Sequence, residues 1–149
     1  MKKKEYQDNN VRELTIKSRT SYLNKVRDFI AGEARQFGFA DEEISKITLA
    51  VDEACTNIIK HAYKYAGNYP IHLKLRTRNN TFQITIEDHG MPFEPETITM
   101  PDIKEHVKSY KRGGFGMYLM KSLMDKVEYT IQPGIKNRVV LTKYLRPSS

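Results

Sequence analysis

The sequence has a single cysteine, Cys55, which excludes an intramolecular disulfide and any multi-cysteine metal site and fits a reducing compartment. It has no apolar run approaching the ~18 residues a spanning helix needs. The basic start, Met1 to Asn10, is followed by no apolar core of a signal peptide. The expectation is a cytoplasmic protein with no membrane contact. No internal repeat, low-complexity tract or Pro/Gly/Ser linker divides the chain, so one domain over residues 11–146 is expected behind a flexible N-terminus, residues 1–10. His72, His89 and His106 lack metal-ligand spacing, and no zinc site is expected. Positive charge is in excess, at +7. Apart from Lys2 to Lys4 and the neighbourhood of Lys108, Lys111 and Arg112, the cations alternate with acids along helices. That pattern is a solvated surface suited to an acidic protein partner, and no direct nucleic-acid contact is expected.

Val11 to Lys17 alternates as a short strand. Ser18 or Ser21 then offers an N-cap to a helix carrying Tyr22, Val26, Phe29, Ile30 and Phe37 at helical spacing, which Gly38 ends. A second helix, with Asp41 as its candidate cap, carries the stripe Ile44, Ile47, Val51, Ala54, Ile58 and Ala62 and ends near Gly67 and Pro70. Ile71-Leu73-Leu75 and Phe82-Ile84-Ile86 alternate strictly around Arg78-Asn79-Asn80, a hairpin. After Asp88 the pattern dissolves for more than twenty residues, which suggests a functional lid. A third helix with Met117, Met120, Leu123 and Met124 and a last hairpin turning at Pro133-Gly134 complete the order. Strands that arrive in hairpins, with three long helices, predict an α+β two-layer sandwich: a mixed, mainly antiparallel sheet covered on one face by three helices.

Three segments carry the chemistry. On an ideal helix Glu53, Asn57, Lys60 and His61 share one sector, about a third of a turn from the apolar stripe. A Glu and an Asn one turn apart suit a hydrated Mg²⁺ that bridges phosphates, with Glu53 free to take a proton from the attacking hydroxyl. Asp88 ends a buried strand, and Gly90 lets the backbone turn and leaves room for a flat ligand whose exocyclic amine the carboxylate could accept. Gly113, Gly114 and Gly116 open a helix, so free N–H groups and the positive end of its dipole converge where a phosphate could sit, beside Lys111 and Arg112. Each segment alone also has a bland reading as a helix face, a turn or a glycine-rich connection. Cys55 and the methionine series read as core, and His61 is kept out of the catalytic set.

In order and spelling, Glu53-x-x-x-Asn57-x-x-x-His61-Ala62-Tyr63, Asp88-x-Gly90-x-Pro92-Phe93 and Gly113-Gly114-Phe115-Gly116-Met117-x-Leu119 resemble the N, G1 and G2 boxes of the GHKL ATPases. Within these the chain resembles the anti-sigma-factor serine/threonine kinases of bacterial partner switching, from about Val11 to Leu145. The resemblance implies the Bergerat sandwich, ATP with Mg²⁺, and phosphorylation of a serine or threonine on a small antagonist protein. It also implies a held regulator, usually a sigma factor, and allows a homodimer. Carried over, Asn57 is the Mg²⁺ ligand, Glu53 the general base and Asp88 with Gly90 the adenine site. Lys60, Arg112, Gly113, Gly114, Phe115 and Gly116 surround the phosphates. One departure stands out: where many relatives have Gly-Thr near the last strand, this chain has Lys136-Asn137-Arg138, and Asn137 is the candidate to replace the hydroxyl's hydrogen bond. The alternative from another class is a catalytically silent, nucleotide-dependent binding module. A detached sensor histidine kinase domain is disfavoured because the chain has no helix pair presenting a phosphoacceptor histidine.

Overall fold

The computed structural model describes residues 10–91 and 114–147. Strand β1 (Val11–Lys17) leads through a 3₁₀ turn (Thr20–Tyr22) into helix α1 (Leu23–Phe37) and then α2 (Asp41–Asn57). The hairpin β2 (Pro70–Arg78) and β3 (Thr81–Asp88) follows; beyond the undescribed stretch come α3 (Gly114–Leu123), β4 (Lys126–Gln132) and β5 (Lys136–Tyr144). The strands form one sheet in the order β1-β2-β3-β5-β4, and every pairing is antiparallel. The lid expected after Asp88 lies outside the described residues.

Period-two alternation gives the sheet its two faces. Ile71, Leu73, Leu75, Phe82, Ile84, Ile86 and Leu141 are at most 1% exposed and point to the helices, while His72, Lys74, Thr85 and Glu87 alternate onto the other face. Helix α2 is the middle of the helical layer and packs on both α1 and α3. Its whole expected stripe, Ile44 to Ala62, is buried, as is Cys55, whose thiol burial pushes up to about 12. A thiol held neutral among core residues is packing, not a nucleophile.

The helix ends depart from expectation at two places. Neither Ser18 nor Ser21 caps α1: the Ser18 hydroxyl donates to Ala66 O and accepts from Tyr69 N–H, tying down the loop before β2. Asp41 is the first helical residue of α2, not its cap, and Ala40 in that position makes no side-chain bond. Asp41, Glu42 and Glu43 instead act from within the first turn, where the dipole favours anions. Gly38 does end α1 as expected, at φ 117°, with its N–H donating to Ala34 O and Arg35 O.

One buried cation ties α3 to the rest of the domain. Lys143 on β5 donates to Leu123 O, at the last residue of α3, at 2.9 Å, and pairs with Glu43 of α2 at 3.2 Å. Burial alone would raise the Glu43 carboxyl, but Lys143 and Lys46 outweigh it and hold its pKa below the ordinary value. A charge placed on the carbonyl end of α3 fixes the helix whose opposite end begins at the glycine run.

Candidate functional site

Helix α2 does not run straight through its polar face. After Asn57 it passes into a π turn, Ile58–Ala62, in which Tyr63 N–H reaches back five residues to Ile58 O at 2.9 Å. That winding changes the angular step, so the ideal-helix sector does not hold past Asn57. Asn57 is buried at 4%, Glu53 is half-buried, Lys60 is exposed and His61 is half-buried. Lys60 is thus turned to solvent, though its charge still reaches Glu53.

Glu53 makes no hydrogen bond or ion pair with a described residue. Burial raises its pKa, the neighbouring Asp52 raises it further, and Lys60 opposes both. Asp52 itself is held from α1 by Arg27, at 2.8 Å. One turn on, the Asn57 amide likewise has no hydrogen-bond partner among the described residues. Among the described residues, a nearly buried amide and a carboxylate on adjacent turns are thus left open to a ligand.

Asp88 stands at the end of β3, 3% exposed. Its Oδ1 accepts from Gly90 N–H at 2.8 Å and from Asn137 Nδ2 at 2.9 Å, and Asn137 also donates to Gly90 O at 3.1 Å. Register explains the contact, since Asn137 lies opposite Asp88 in the β3–β5 pairing. Asp88 Oδ2 accepts nothing from a described residue. Burial raises the Asp88 pKa, and the Asn137 and Gly90 hydrogen bonds only partly offset it. Lys136 and Arg138 turn away to Glu87 on the outer face, at 3.4 and 2.7 Å.

Beside Asp88 lies a cavity of about 20 Å³ walled by Ala54, Ile58, Ile86, Tyr129 and Asn137 among others. Its floor is apolar sheet, and Asp88 and Asn137 supply its polar lining. Two residues given no role from sequence help to build it. Tyr63, 7% exposed, donates its hydroxyl to Pro70 O at 2.7 Å and accepts from His89 N–H at 2.8 Å, which pins the turn after Asp88. Tyr129 forms one wall; its inward alternation on β4 was visible in the sequence, but its proximity to Asp88 was not.

Gly90 has a packing requirement besides the turn expected from sequence. A Cβ there would meet Ala62 O at 2.5 Å and Ala62 C at 2.6 Å, and the next residue, Met91, donates its N–H to the same Ala62 O at 2.8 Å. The side of Gly90 that a Cβ would occupy is therefore filled by the end of the π turn. Gly90→Ala is expected to cost about 1–3 kcal/mol, because rigid backbone on both sides leaves nothing to yield. Urea denaturation would show it as a lower midpoint at unchanged slope, and a midpoint equal to wild type would refute the close-packing account.

Gly114, Phe115 and Gly116 are the first three residues of α3, where unpaired N–H groups gather. Arg112 and Gly113 lie outside the described residues.

A buried carboxylate at a strand end, an apolar slot beside it and unengaged polar groups on the neighbouring helix, all on a two-layer α+β sandwich, define the class of a nucleotide-binding domain. Residues 16–143 match the model of the histidine kinase-like ATPase domain. The serine-protein kinase RsbW of Halalkalibacterium halodurans is 30% identical over 138 residues, 90% of this chain and 83% of that protein. The protein of the same name from Bacillus cereus strain ATCC 14579 is 32% identical over 139 residues, 90% of this chain and 84% of that protein. The crystal structure of the RsbU and RsbW domains of Rv1364c from Mycobacterium tuberculosis superposes with a TM-score of 0.67 at 15% identity, over 93% of this chain and 33% of that one, a likeness of fold.

This chain belongs to the histidine kinase-like ATPase domain family. By that membership and those relatives it is an ATP-dependent kinase. No helix among the described residues is long and apolar enough to cross a membrane.

Proposed function

We propose that this chain transfers the γ-phosphoryl group of ATP to a serine or threonine hydroxyl on a small antagonist protein in the cytoplasm, and that it otherwise holds a regulator, a sigma factor being the partner that the family resemblance implies. The observation that carries the reading is the pairing of Glu53 with Asn57: a carboxylate of raised basicity one turn from an amide, neither hydrogen-bonded to another described residue.

The roles follow from what each group can do. Glu53 takes the proton of the attacking hydroxyl, a task that needs a base unencumbered by ion pairs. Asp88 Oδ2 accepts from the exocyclic amine of the base, while Oδ1 stays tied to Gly90 and Asn137 and so fixes the carboxylate plane. Asn57 offers its amide oxygen to Mg²⁺, which supplies neutralising charge on the phosphate oxygens. Lys60, Arg112 and the N–H groups of Gly113, Gly114, Phe115 and Gly116 complete the phosphate surroundings.

Incubation of the chain with radiolabelled ATP, Mg²⁺ and candidate antagonist proteins from the same organism should yield phosphoserine or phosphothreonine on the cognate antagonist. Stable partner binding with no phosphoprotein would favour a silent binding module. The metal assignment has its own readout. Asn57→Ala should lower ATP affinity by about tenfold or more in Mg²⁺ and leave it near wild type in EDTA, so that the metal-dependent difference collapses. Titration calorimetry under the two conditions checks this, and an unchanged metal-dependent difference would remove Asn57 from the site.

A further inference from the structure

Resting on the reading of Asp88 as the base-binding carboxylate, we propose that Tyr129 is the residue that determines which purine the pocket accepts. A carboxylate does not choose between purines. It accepts from the 6-amino group of adenine, and equally from the N1–H and 2-amino group of guanine. Discrimination must therefore come from a wall that limits how the base sits.

The cavity beside Asp88, at about 20 Å³, has room for a single water. A purine is several times larger, so the side chains that line the cavity set how a base can lie against the carboxylate. Ala54 and Ile58 are 3% and 5% exposed on the central helix, and Ile86 and Val139 sit on strands flanked by neighbours on both sides. Tyr129 differs from all of these. It lies on β4, an edge strand paired only with β5, and it is the largest side chain lining the cavity. Its row in the sheet, Tyr129–Val139–Ile86, is the inward-facing row next to the one that holds Asp88 and Asn137. Burial raises the pKa of its hydroxyl first, and the Asp88 charge raises it further. Tyr129 is thus the bulkiest wall beside the carboxylate, and its ring bounds the base on the side away from the central strands.

The test uses the full chain and calorimetric dissociation constants for Mg-ATP and Mg-GTP, in wild type, Tyr129→Ala, Tyr129→Phe and Asp88→Asn. Wild type should prefer ATP. Tyr129→Ala should shrink that preference by about tenfold or more, chiefly through tighter GTP binding, and Tyr129→Phe should keep it because the ring is retained. If Tyr129→Ala does not fold, Tyr129→Leu gives the same readout. A structural role would move both constants together, and an unchanged ATP-to-GTP ratio in the truncated variant overturns the proposal. So does a ratio that shifts equally in Tyr129→Phe, which would assign selection to the hydroxyl. Asp88→Asn separates the two levels. If it leaves ATP affinity at the wild-type value, the reading of Asp88 falls and takes this proposal with it. If it weakens ATP while Tyr129→Ala keeps the wild-type ratio, only the role of Tyr129 is lost.

Discussion

Glu53→Gln is expected to lower the rate of phosphoryl transfer by about 10²–10⁴-fold while ATP affinity stays within a few-fold of wild type. The amide keeps the shape of the side chain and removes only its ability to take a proton. The electrostatics argue against loss of rate by unfolding. Burial and Asp52 raise the Glu53 pKa in the folded chain, so the native state holds its proton more tightly than the unfolded state does. For a carboxylate shifted that way, stability falls as pH rises from the unfolded pKa through the raised folded one, and above both the ionised group is a net cost. Replacing it with a neutral amide relieves that cost at neutral pH, so the variant should melt no lower than wild type. The same shift sets the pH profile. Transfer needs the ionised base, so the wild-type rate should fall on the acid side with a midpoint above the ordinary Glu value of 4.5. A Gln variant that phosphorylates the antagonist at the wild-type rate would take Glu53 out of the mechanism.

The parts of this molecule that repeat a burial pattern were legible before the fold was seen, and the parts made by register were not. Ile71, Leu73, Leu75, Phe82, Ile84 and Ile86 alternate because one face of the sheet is dry, and the stripe from Ile44 to Ala62 recurs because one face of α2 is. Glu53 and Asn57 were legible as candidates because they share a polar sector beside the apolar stripe, and Asp88 because it ends an alternating strand just before Gly90. The π turn at Ile58–Ala62 was not, since a change from i+4 to i+5 bonding leaves no mark on the spacing of apolar residues, and it is this turn that carries Lys60 outward. Ser18 has the composition of a cap but serves Ala66 and Tyr69, about fifty residues on, because the loop before β2 folds back against it. The Asn137 contact with Asp88 spans 49 positions and exists only through the β3–β5 register. The Gly90 requirement is likewise a matter of which backbone lies opposite: it is Ala62 that forbids a side chain there.

Asp88→Asn should separate stability from binding in opposite directions. The Asn oxygen can keep both hydrogen bonds that Asp88 Oδ1 now accepts, from Gly90 N–H and from Asn137 Nδ2, so the turn is preserved. What changes is the other position. Asp88 Oδ2, which accepts nothing from the described residues, becomes an NH₂ group and presents donors where the proposed ligand's amine also presents donors. A buried donor facing a donor loses the charge-assisted bond and strands both groups, which is worth about 3 kcal/mol, or roughly a hundredfold in affinity. The fold, by contrast, is relieved of a carboxylate whose pKa is raised by burial, since a group of that kind costs stability once pH exceeds its folded pKa. At neutral pH the variant should therefore unfold at an equal or higher urea concentration than wild type. It should also lose the decline in stability that wild type shows as pH rises through the Asp88 titration. Most other substitutions in the pocket would weaken fold and ligand together, so this opposition is a specific signature of a carboxylate that the fold tolerates for the ligand's sake. ATP binding at the wild-type level in Asp88→Asn would place the base elsewhere. A large drop in stability would instead mean that the ionised carboxylate is held by the protein for its own structure.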